Sequence, residues 1–505
     1  MKKKTMLTAL FLPVLLCLST ACSSENESAD SPKAPPTPTL DKGEKVKEDP
    51  LKLSIMIEPR PDTDLTGIVP IIEKYTNTKL DFRITANLND VLPVAMASGD
   101  LPDVLTFGNA AMRAPYMINA MRGGVIWDIT TFIADYPNLK AIHPKIYENI
   151  SLDGKIYGLP RVRPISRVTF AYRQDWLEKL GLPEPKTIDD YYNMLRAFTF
   201  NDPDGNGKHD TIGLTELGTA NVERIMSILF GAPNRWGVKP DGSFVGTWET
   251  EEYLNSLKFM RKLYAEKLIN QDFPVLKDQQ WKDLMLNGVA GVYPRHIDEA
   301  YYFQQKMPDA KIGVISQLKG PNGVRTTGEN GANGIIAFTK SGFKTEKDVR
   351  KALKFFDDLA SKEMSNLFAW GVEGRHYKIE NGKAVMTDLG KYGSELEHLR
   401  NQLLAVHANV NAIPGKLIEL VEKGEALKED NIQYAVFDPT LALISATQAE
   451  IGTQLNTIID DALVKFIIGQ IDEAGWKAEV EKWRKAGGSK VAKEYADEQA
   501  KLKKK

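Results

Sequence analysis

Asp202, Asp204, Asn206 and Asp210 lie within Asp202-Pro203-Asp204-Gly205-Asn206-Gly207-Lys208-His209-Asp210, which matches the spacing D-x-D-x-N-G-x-x-D. Oxygen side chains at alternate positions converge when a glycine permits a sharp turn, and the next carbonyl, here that of Lys208, adds a ligand. Three carboxylates and an amide suit a hard cation such as Ca²⁺ rather than a softer metal. A complete helix–loop–helix hand would end in a bidentate Glu, where this chain has Gly213. The spacing therefore predicts an isolated calcium loop that pins the chain and does no chemistry. The competing reading is a solvated turn, which Asp, Asn and Gly also favour.

Catalytic patterns are absent. The chain has no G-x-S-x-G elbow, no H-E-x-x-H helix and no G-x-x-x-x-G-K-[ST] phosphate loop. His143, His209, His296, His376, His398 and His407 are scattered without metal-ligand spacing. A glycosidase-like carboxylate pair stays open, because 67 acidic residues give many accidental pairs. With 42% hydrophobic and 26% charged residues the composition is globular. The net charge of −2 argues against a nucleic-acid binder, which needs a basic surplus.

The chain opens with Lys2, Lys3 and Lys4, followed by an apolar run over 6–18 that contains Pro13. The run is too short for a bilayer about 30 Å thick, so residues 1–21 read as a secretory signal. Ser19, Thr20 and Ala21 precede Cys22, a pattern that resembles a bacterial lipobox, with Ser19 where Leu is usual. Cleavage before Cys22 removes Cys17 and leaves one cysteine, so no intrachain disulfide is expected. Acyl chains on Cys22 would hold the protein at a membrane, each CH₂ contributing about 0.8 kcal/mol. Residues 22–50, rich in Ser, Pro and charge, read as a flexible linker.

The body must then supply rigid elements. Strands are expected at 51–57, 80–84 and 103–107, with helices at 68–75 and 91–97 between them. That alternation predicts βαβ units and a mainly parallel sheet. A second series starts with a strand at 168–173 and a helix at 175–180. Thr187 and Asp190 then open a capped helix reaching Phe198. Further strands are expected at 289–293, 311–315 and 334–338, with a helix at 297–305. A helix capped by Thr345 carries Val349, Ala352, Leu353 and Phe356 on one face, and the remainder is helical.

Several phrases occur together and in order: Ala97-Ser98-Gly99-Asp100-Leu101-Pro102-Asp103, Asp153-Gly154-Lys155-Ile156-Tyr157-Gly158-Leu159-Pro160, and Tyr172-Arg173-Gln174-Asp175-Trp176-Leu177. Phe230-Gly231-Ala232-Pro233-Asn234, Asn287-Gly288-Val289-Ala290-Gly291 and Gly371-Val372-Glu373-Gly374-Arg375-His376-Tyr377 follow. Over 51–485 the chain resembles the extracellular solute-binding proteins, family 1, and within them the LplA-like sugar-binding lipoproteins. The resemblance implies an α/β, two-lobed periplasmic-binding-protein-like (type II) fold with hinge-crossing strands and additional C-terminal helices. Expected lobes are 51–165 with 292–332, and 166–291 with 333–505. The crossings are expected near 157–163, at the strand beginning at Val289 and at the strand beginning at Gly334. The implied protein is a lipid-anchored monomer on the outer face of the cell membrane. It would bind an oligosaccharide without turnover and present it to the permease subunits of an ABC importer. A secreted polysaccharide lyase or glycosidase, or a sugar-sensing lipoprotein, is the alternative. The 202–210 loop is similar to the calcium loop of alginate-binding relatives, with Thr211 where they carry an acid.

Sugars are held by aromatic rings against their apolar faces and by planar polar groups on their hydroxyls. Loops at strand ends and crossings supply the candidates: Arg60, Asn109, Arg161, Arg163, Tyr172, Arg173, Trp236, Trp281, Arg295, His296, Glu329, Asn330, Trp370, Glu373 and His376. The arginine share is compatible with acidic sugars or with tight hydroxyl binding. Trp176 and Trp476, on amphipathic helices, are expected in the core.

Overall fold

The computed structural model describes residues 49–218 and 222–503. The signal, Cys22 and nearly all of the linker lie outside the described residues.

Two sheets organise the body. The first contains β1 (Leu51–Ile57), β2 (Thr78–Ile84), β3 (Val104–Phe107) and β4 (Leu159–Val162), and it is completed by β9 (Ala332–Phe338). Its order is β2-β1-β3-β9-β4, with β1 parallel to β2 and β3, and β9 antiparallel to β3 and β4. The second contains β5 (Val168–Arg173), β6 (Ile212–Leu214), β7 (Ala290–His296) and β8 (Ile312–Ile315). Its order is β8-β5-β7-β6; β5 is antiparallel to both neighbours and β6 runs parallel to β7.

Side-chain alternation puts a core on each face of the second sheet. Phe170, Tyr172 and Val292 join one core with Trp176, Trp476 and the C-terminal helices. Ala171, Tyr293 and Val314 join the other, with Trp281 and Phe303. The helix Ile188–Phe200 begins with the expected capping box of Thr187 and Asp190, and Glu346–Asp358 begins with that of Thr345 and Asp348.

The strand pairing divides the chain differently from the expected lobes. Residues 290–315 belong to the second lobe, because β7 lies between β5 and β6 and does not cross. Residues 332–408 belong to the first, whose core holds Ile336, Phe356, Leu399 and Val406. The chain returns to the second lobe near Leu420, on the helix Glu419–Asp430. The passages between lobes are therefore 163–167, 328–331 and 409–419. Two of them bond to each other: Arg163 N–H donates to the Gly331 carbonyl at 2.8 Å and Glu329 N–H to that of Ile165 at 2.8 Å. Such a paired, narrow junction suits a hinge.

Gly334 permits β9 to lie against β3. Its φ is +96°, and a Cβ there would sit 1.8 Å from the Phe107 carbonyl oxygen. Gly334→Ala is expected to lower stability by about 3 kcal/mol, because backbone on both sides must move. Urea denaturation measures it; a change below about 1 kcal/mol would contradict this account.

Candidate functional site

The carboxyl ends of β1, β3 and β4 share one edge of the first sheet, as their pairing with β9 and with each other requires. In the second sheet the corresponding edge holds the start of β5 beside the end of β7, since Val168 pairs with His296. The five residues of 163–167 join these edges, so the two face each other across a short link. Open α/β sheets place ligands beyond such ends.

The first wall carries Arg60, Asn109, Arg161 and Arg163, and the helix His398–Leu403 lies over it. Gln402 Nε2 donates to the Glu58 carbonyl at 3.0 Å, which fixes that helix against the end of β1. Arg161 Nε donates to the Asn401 carbonyl at 2.8 Å, and Arg163 Nη2 to Asn401 Oδ1 at 2.9 Å. Burial lowers both guanidiniums to about 10, and for Arg163 the charges of Arg161, Arg167 and Arg400 add to it. Asn109 Nδ2 donates to the Ala332 carbonyl at 2.9 Å, while its Oδ1 is buried without a hydrogen-bond partner among the described residues.

The second wall is a charge network. Arg167 reaches Glu329 at 3.1 Å and Asp298 at 3.4 Å, and His296 Nε2 lies 3.4 Å from Glu329. Lys428 holds Asp298 at 2.9 Å. Burial works to raise the Glu329 carboxyl, but His296 and Arg167 hold it below the usual range. Arg224, Arg295, His296 and Glu329 line a small cavity of about 70 Å³.

Arg224 also lines a larger cavity of about 520 Å³ in the second lobe. That cavity is built from the helix Val222–Leu229, the turn at 234–236, Trp248, Tyr253, Asp438, Asp460 and Tyr495. Trp236 is packed edge-on to Trp248 and Tyr495, with ring centroids 5.6 and 5.2 Å apart. Four buried polar atoms on this lining have no hydrogen-bond partner among the described residues: Arg224 Nε, Asn234 Oδ1, Thr247 Oγ1 and Trp248 Nε1. Unpaired buried donors and acceptors cost about 1–3 kcal/mol each, so they call for a polar occupant. Aromatic edges beside donors, acceptors and carboxylic acids match the two-sided chemistry of a sugar.

Other candidates are not brought here. Tyr172 and Arg173 lie at the far end of β5, because β5 runs antiparallel to β7 and only its start meets the cleft. The Tyr172 hydroxyl donates to Glu184 at 3.0 Å, and Arg173 pairs with Asp175 at 2.6 Å. Trp281 is fully buried against Tyr293, with ring centroids 4.2 Å apart. Trp370 Nε1 donates to the Ile413 carbonyl at 2.9 Å. His376 is wholly buried; its Nδ1 accepts from Val372 N–H, and its Nε2 lies 2.9 Å from Glu395. Glu373 sits on an exposed turn. Asn330 serves the hinge, where its Oδ1 accepts from Ala332 N–H at 2.9 Å. Sequence reasoning missed Glu223, Arg224, Trp248, Asp438, Arg400 and Asn401, which come from distant segments with no shared spacing.

In the 202–210 loop, Asp202 accepts backbone N–H groups of Gly205, Asn206 and Gly207 at 3.0, 3.0 and 3.1 Å. Asp204 and Asp210 converge on Asn206 Nδ2, at 2.7 and 3.2 Å. Among the described residues no three acidic, His or Cys side chains stand as a metal-binding group. The donors are on one loop, with the Asn206 amide nitrogen between two carboxylates where an oxygen-liganded cation would need the amide oxygen.

Residues 63–365 match the family described as bacterial extracellular solute-binding protein. The chain belongs to that family. Lipoprotein LipO of Bacillus subtilis (strain 168) is 35% identical over 456 residues, covering 87% of this chain and 90% of LipO. The polygalacturonan/rhamnogalacturonan-binding protein YtcQ of the same organism is 34% identical, covering 88% of this chain and 90% of YtcQ. The fold is also that of the Streptococcus pneumoniae substrate-binding protein FusA, solved as an EF-hand mutant with fructo-nystose. Its TM-score is 0.61 at 21% identity, covering 90% of this chain and 100% of FusA. This solute-binding protein is a two-lobed α/β binder and not an enzyme. Among the described residues no helix is long and apolar enough to cross a membrane.

Proposed function

We propose that this solute-binding protein, anchored through lipid on Cys22 outside the cell membrane, captures an oligosaccharide between its lobes and passes it unchanged to an ABC importer. The observation that carries the reading is the pair of Arg224-lined cavities in the second lobe, where unpaired polar atoms and aromatic edges meet and the smaller cavity reaches the start of β5 and the end of β7. Ligand contacts to both walls would favour a closed arrangement about the 163–167 and 328–331 junction. Permease subunits would read the closed form of a monomer. YtcQ is named for polygalacturonan and rhamnogalacturonan and FusA for fructooligosaccharides, which supports a glycan without choosing its charge. Calorimetry of the purified protein against an oligosaccharide panel tests the reading. The expected result is tight binding of one glycan class with no product formed; hydrolysis or elimination products would refute it.

The 202–210 loop is proposed as a structural Ca²⁺ site, held by Asp202, Asp204, Asn206, Asp210 and the Lys208 carbonyl. The supporting observations are the donor spacing and the EF-hand named for FusA. Saturating calcium is expected to raise Tm by roughly 3–5 °C over the chelated protein, the size of a site filled about 100-fold above its Kd. Asp204→Ala should abolish that response. A Tm indifferent to chelators would remove the metal from the proposal.

A further inference from the structure

One turn of the second lobe is wedged into the first. Residues 437–444 follow the strand Ala435–Val436, which pairs with Thr326–Thr327 just before the 328–331 passage. Leu443 lies in the second lobe's core, whereas Phe437 and Ile444 pack against that of the first. Phe437 also closes on the passage, since a Cβ on Gly328 would sit 2.6 Å from its Cδ1. Between these anchors Asp438 and Thr440 line the cavity of about 520 Å³. Asp438 Oδ1 accepts from the Thr440 N–H at 2.9 Å and from its hydroxyl at 2.6 Å. The carbonyl of Leu441, within the turn, accepts from Nη2 of Arg113 in the first lobe. The same nitrogen donates to the Asn149 carbonyl at 2.9 Å, and Asn149 Nδ2 donates to the Asn330 carbonyl in the passage at 3.1 Å. Burial lowers the Arg113 guanidinium to about 10, against the opposing pull of Tyr495 and Asp438, both on the cavity lining.

We infer that Arg113 is a positioning residue for glycan binding: it latches the 437–444 turn to the first lobe, so that seating a sugar on Asp438 and Thr440 and holding the lobes together are coupled. The inference rests on the reading of that cavity as an oligosaccharide site, and adds how the first lobe senses a cavity whose lining residues all belong to the second. A sugar on Asp438 and Thr440 restricts the turn, and a restricted turn keeps its Leu441 carbonyl on the guanidinium. The coupling is reciprocal: the factor by which the latch tightens the sugar is the factor by which the sugar tightens the latch. A charge-assisted bond is suited to this, being about twice as strong as a neutral one. On the other side of the turn, Pro439, Ala442 and Leu443 face a cavity of about 620 Å³ with Asp153 and Lys155 of the first lobe. That gap lets the lobes part there once the latch releases.

Amide hydrogen exchange and binding measurements on the purified full-length protein test this, with kestose and trigalacturonate as probes. Without a probe, Arg113→Gln is expected to speed exchange over 437–444 about tenfold, as loss of one charge-assisted bond dictates, while the helix Ala446–Ile467 stays protected. For whichever probe binds wild type, Kd should rise about tenfold through a faster off-rate, with the on-rate unchanged. Bound probe should slow exchange over 437–444 in wild type and do so less in the variant. Arg113→Lys should recover part of each loss, since it keeps the charge without the planar fork. Phe437→Ala loosens the same turn at its other anchor and should reproduce the exchange and off-rate changes, which keeps the test decisive if Arg113→Gln does not fold. Unaltered exchange over 437–444 would overturn the latch. Exchange accelerated throughout the first lobe would mark a merely structural arginine. Faster exchange confined to the turn with unchanged Kd for a bound probe would overturn the coupling and leave the receptor reading standing. If wild type binds neither probe, the oligosaccharide reading loses both classes and the coupling falls with it, whatever the exchange result.

Discussion

Replacing Arg224 by Ala is expected to weaken glycan binding by about 30- to 100-fold, the largest loss from any single side chain of the second lobe. The expectation follows from where the residue stands. It lines both the small cavity with His296 and Glu329 and the larger one with Trp236 and Trp248. Its Nε is buried without a hydrogen-bond partner among the described residues, and burial lowers the guanidinium from its ordinary value. A charge-assisted hydrogen bond contributes about 1.5–3 kcal/mol, or about ten- to a hundredfold in affinity. The charge is already desolvated, so the ligand gains the bond without that cost falling on association. Arg224→Ala should therefore change Kd far more than Tm. Arg224→Lys should recover only part of the affinity, because a point charge does not reproduce the planar fork. Calorimetry with whichever glycan the panel identifies measures both. An Arg224→Ala Kd within threefold of wild type would show that the sugar seats elsewhere on the cleft.

The residues that define this site were unevenly legible in sequence, for physical reasons. Local signals transferred well. Thr187 with Asp190 and Thr345 with Asp348 satisfy helix N–H groups over three residues, so their type and spacing suffice. Trp176 and Trp476 lie in apolar stripes and are both 2% exposed. Arg295, His296 and Glu329 are candidates because of their places beside expected crossings; the strand before Arg295 does not cross, yet its end brings Arg295 and His296 to Glu329. Pairing partners were harder. The apolar strand 290–296 has a period that permits either sheet, and only its neighbours β5 and β6 place it in the second. Once that strand stays within a lobe, the expected boundaries at 292 and 333 move to the passages at 328–331 and 409–419. The direction of β5 was equally hidden: an antiparallel neighbour reverses which end meets the ligand, and Tyr172 and Arg173 move to the far side. His376 illustrates another limit. A histidine in a Gly-rich turn looks like a ligand group, yet it is the glutamate at 395 that uses it. The cavity lining joins residues 223, 248, 438, 460 and 495, a set no local pattern connects.

Glu223 makes the second lobe's stability depend on pH in a direction opposite to that of an ordinary paired carboxylate. It opens the helix Val222–Leu229 on the cavity wall and is 4% exposed. Burial lifts its carboxyl to about 7, against smaller opposing effects of the Tyr253 hydroxyl and the Arg224 charge. In the unfolded chain a glutamate titrates near 4.3. Below about pH 4 both states are protonated, and the group's favourable contribution is fully present. As pH rises towards and through 7 the unfolded chain ionises first, and that contribution is lost. The span from the ordinary value to about 7 corresponds to on the order of 3 kcal/mol. Glu223→Gln keeps a neutral side chain of the same shape at every pH. Its stability should match wild type at pH 4 and exceed it by about 2–3 kcal/mol at pH 8. Urea denaturation of both proteins at the two pH values isolates the residue, since every other titrating group cancels in the difference. Parallel pH profiles would mean that Glu223 is ionised in the folded protein and compensated by Arg224. The same protonation acts on binding: a neutral Glu223 can donate to a sugar hydroxyl, whereas an ionised one only accepts. Glycan affinity in wild type should thus change between pH 6 and 8 by about threefold or more, and in Glu223→Gln that change should vanish.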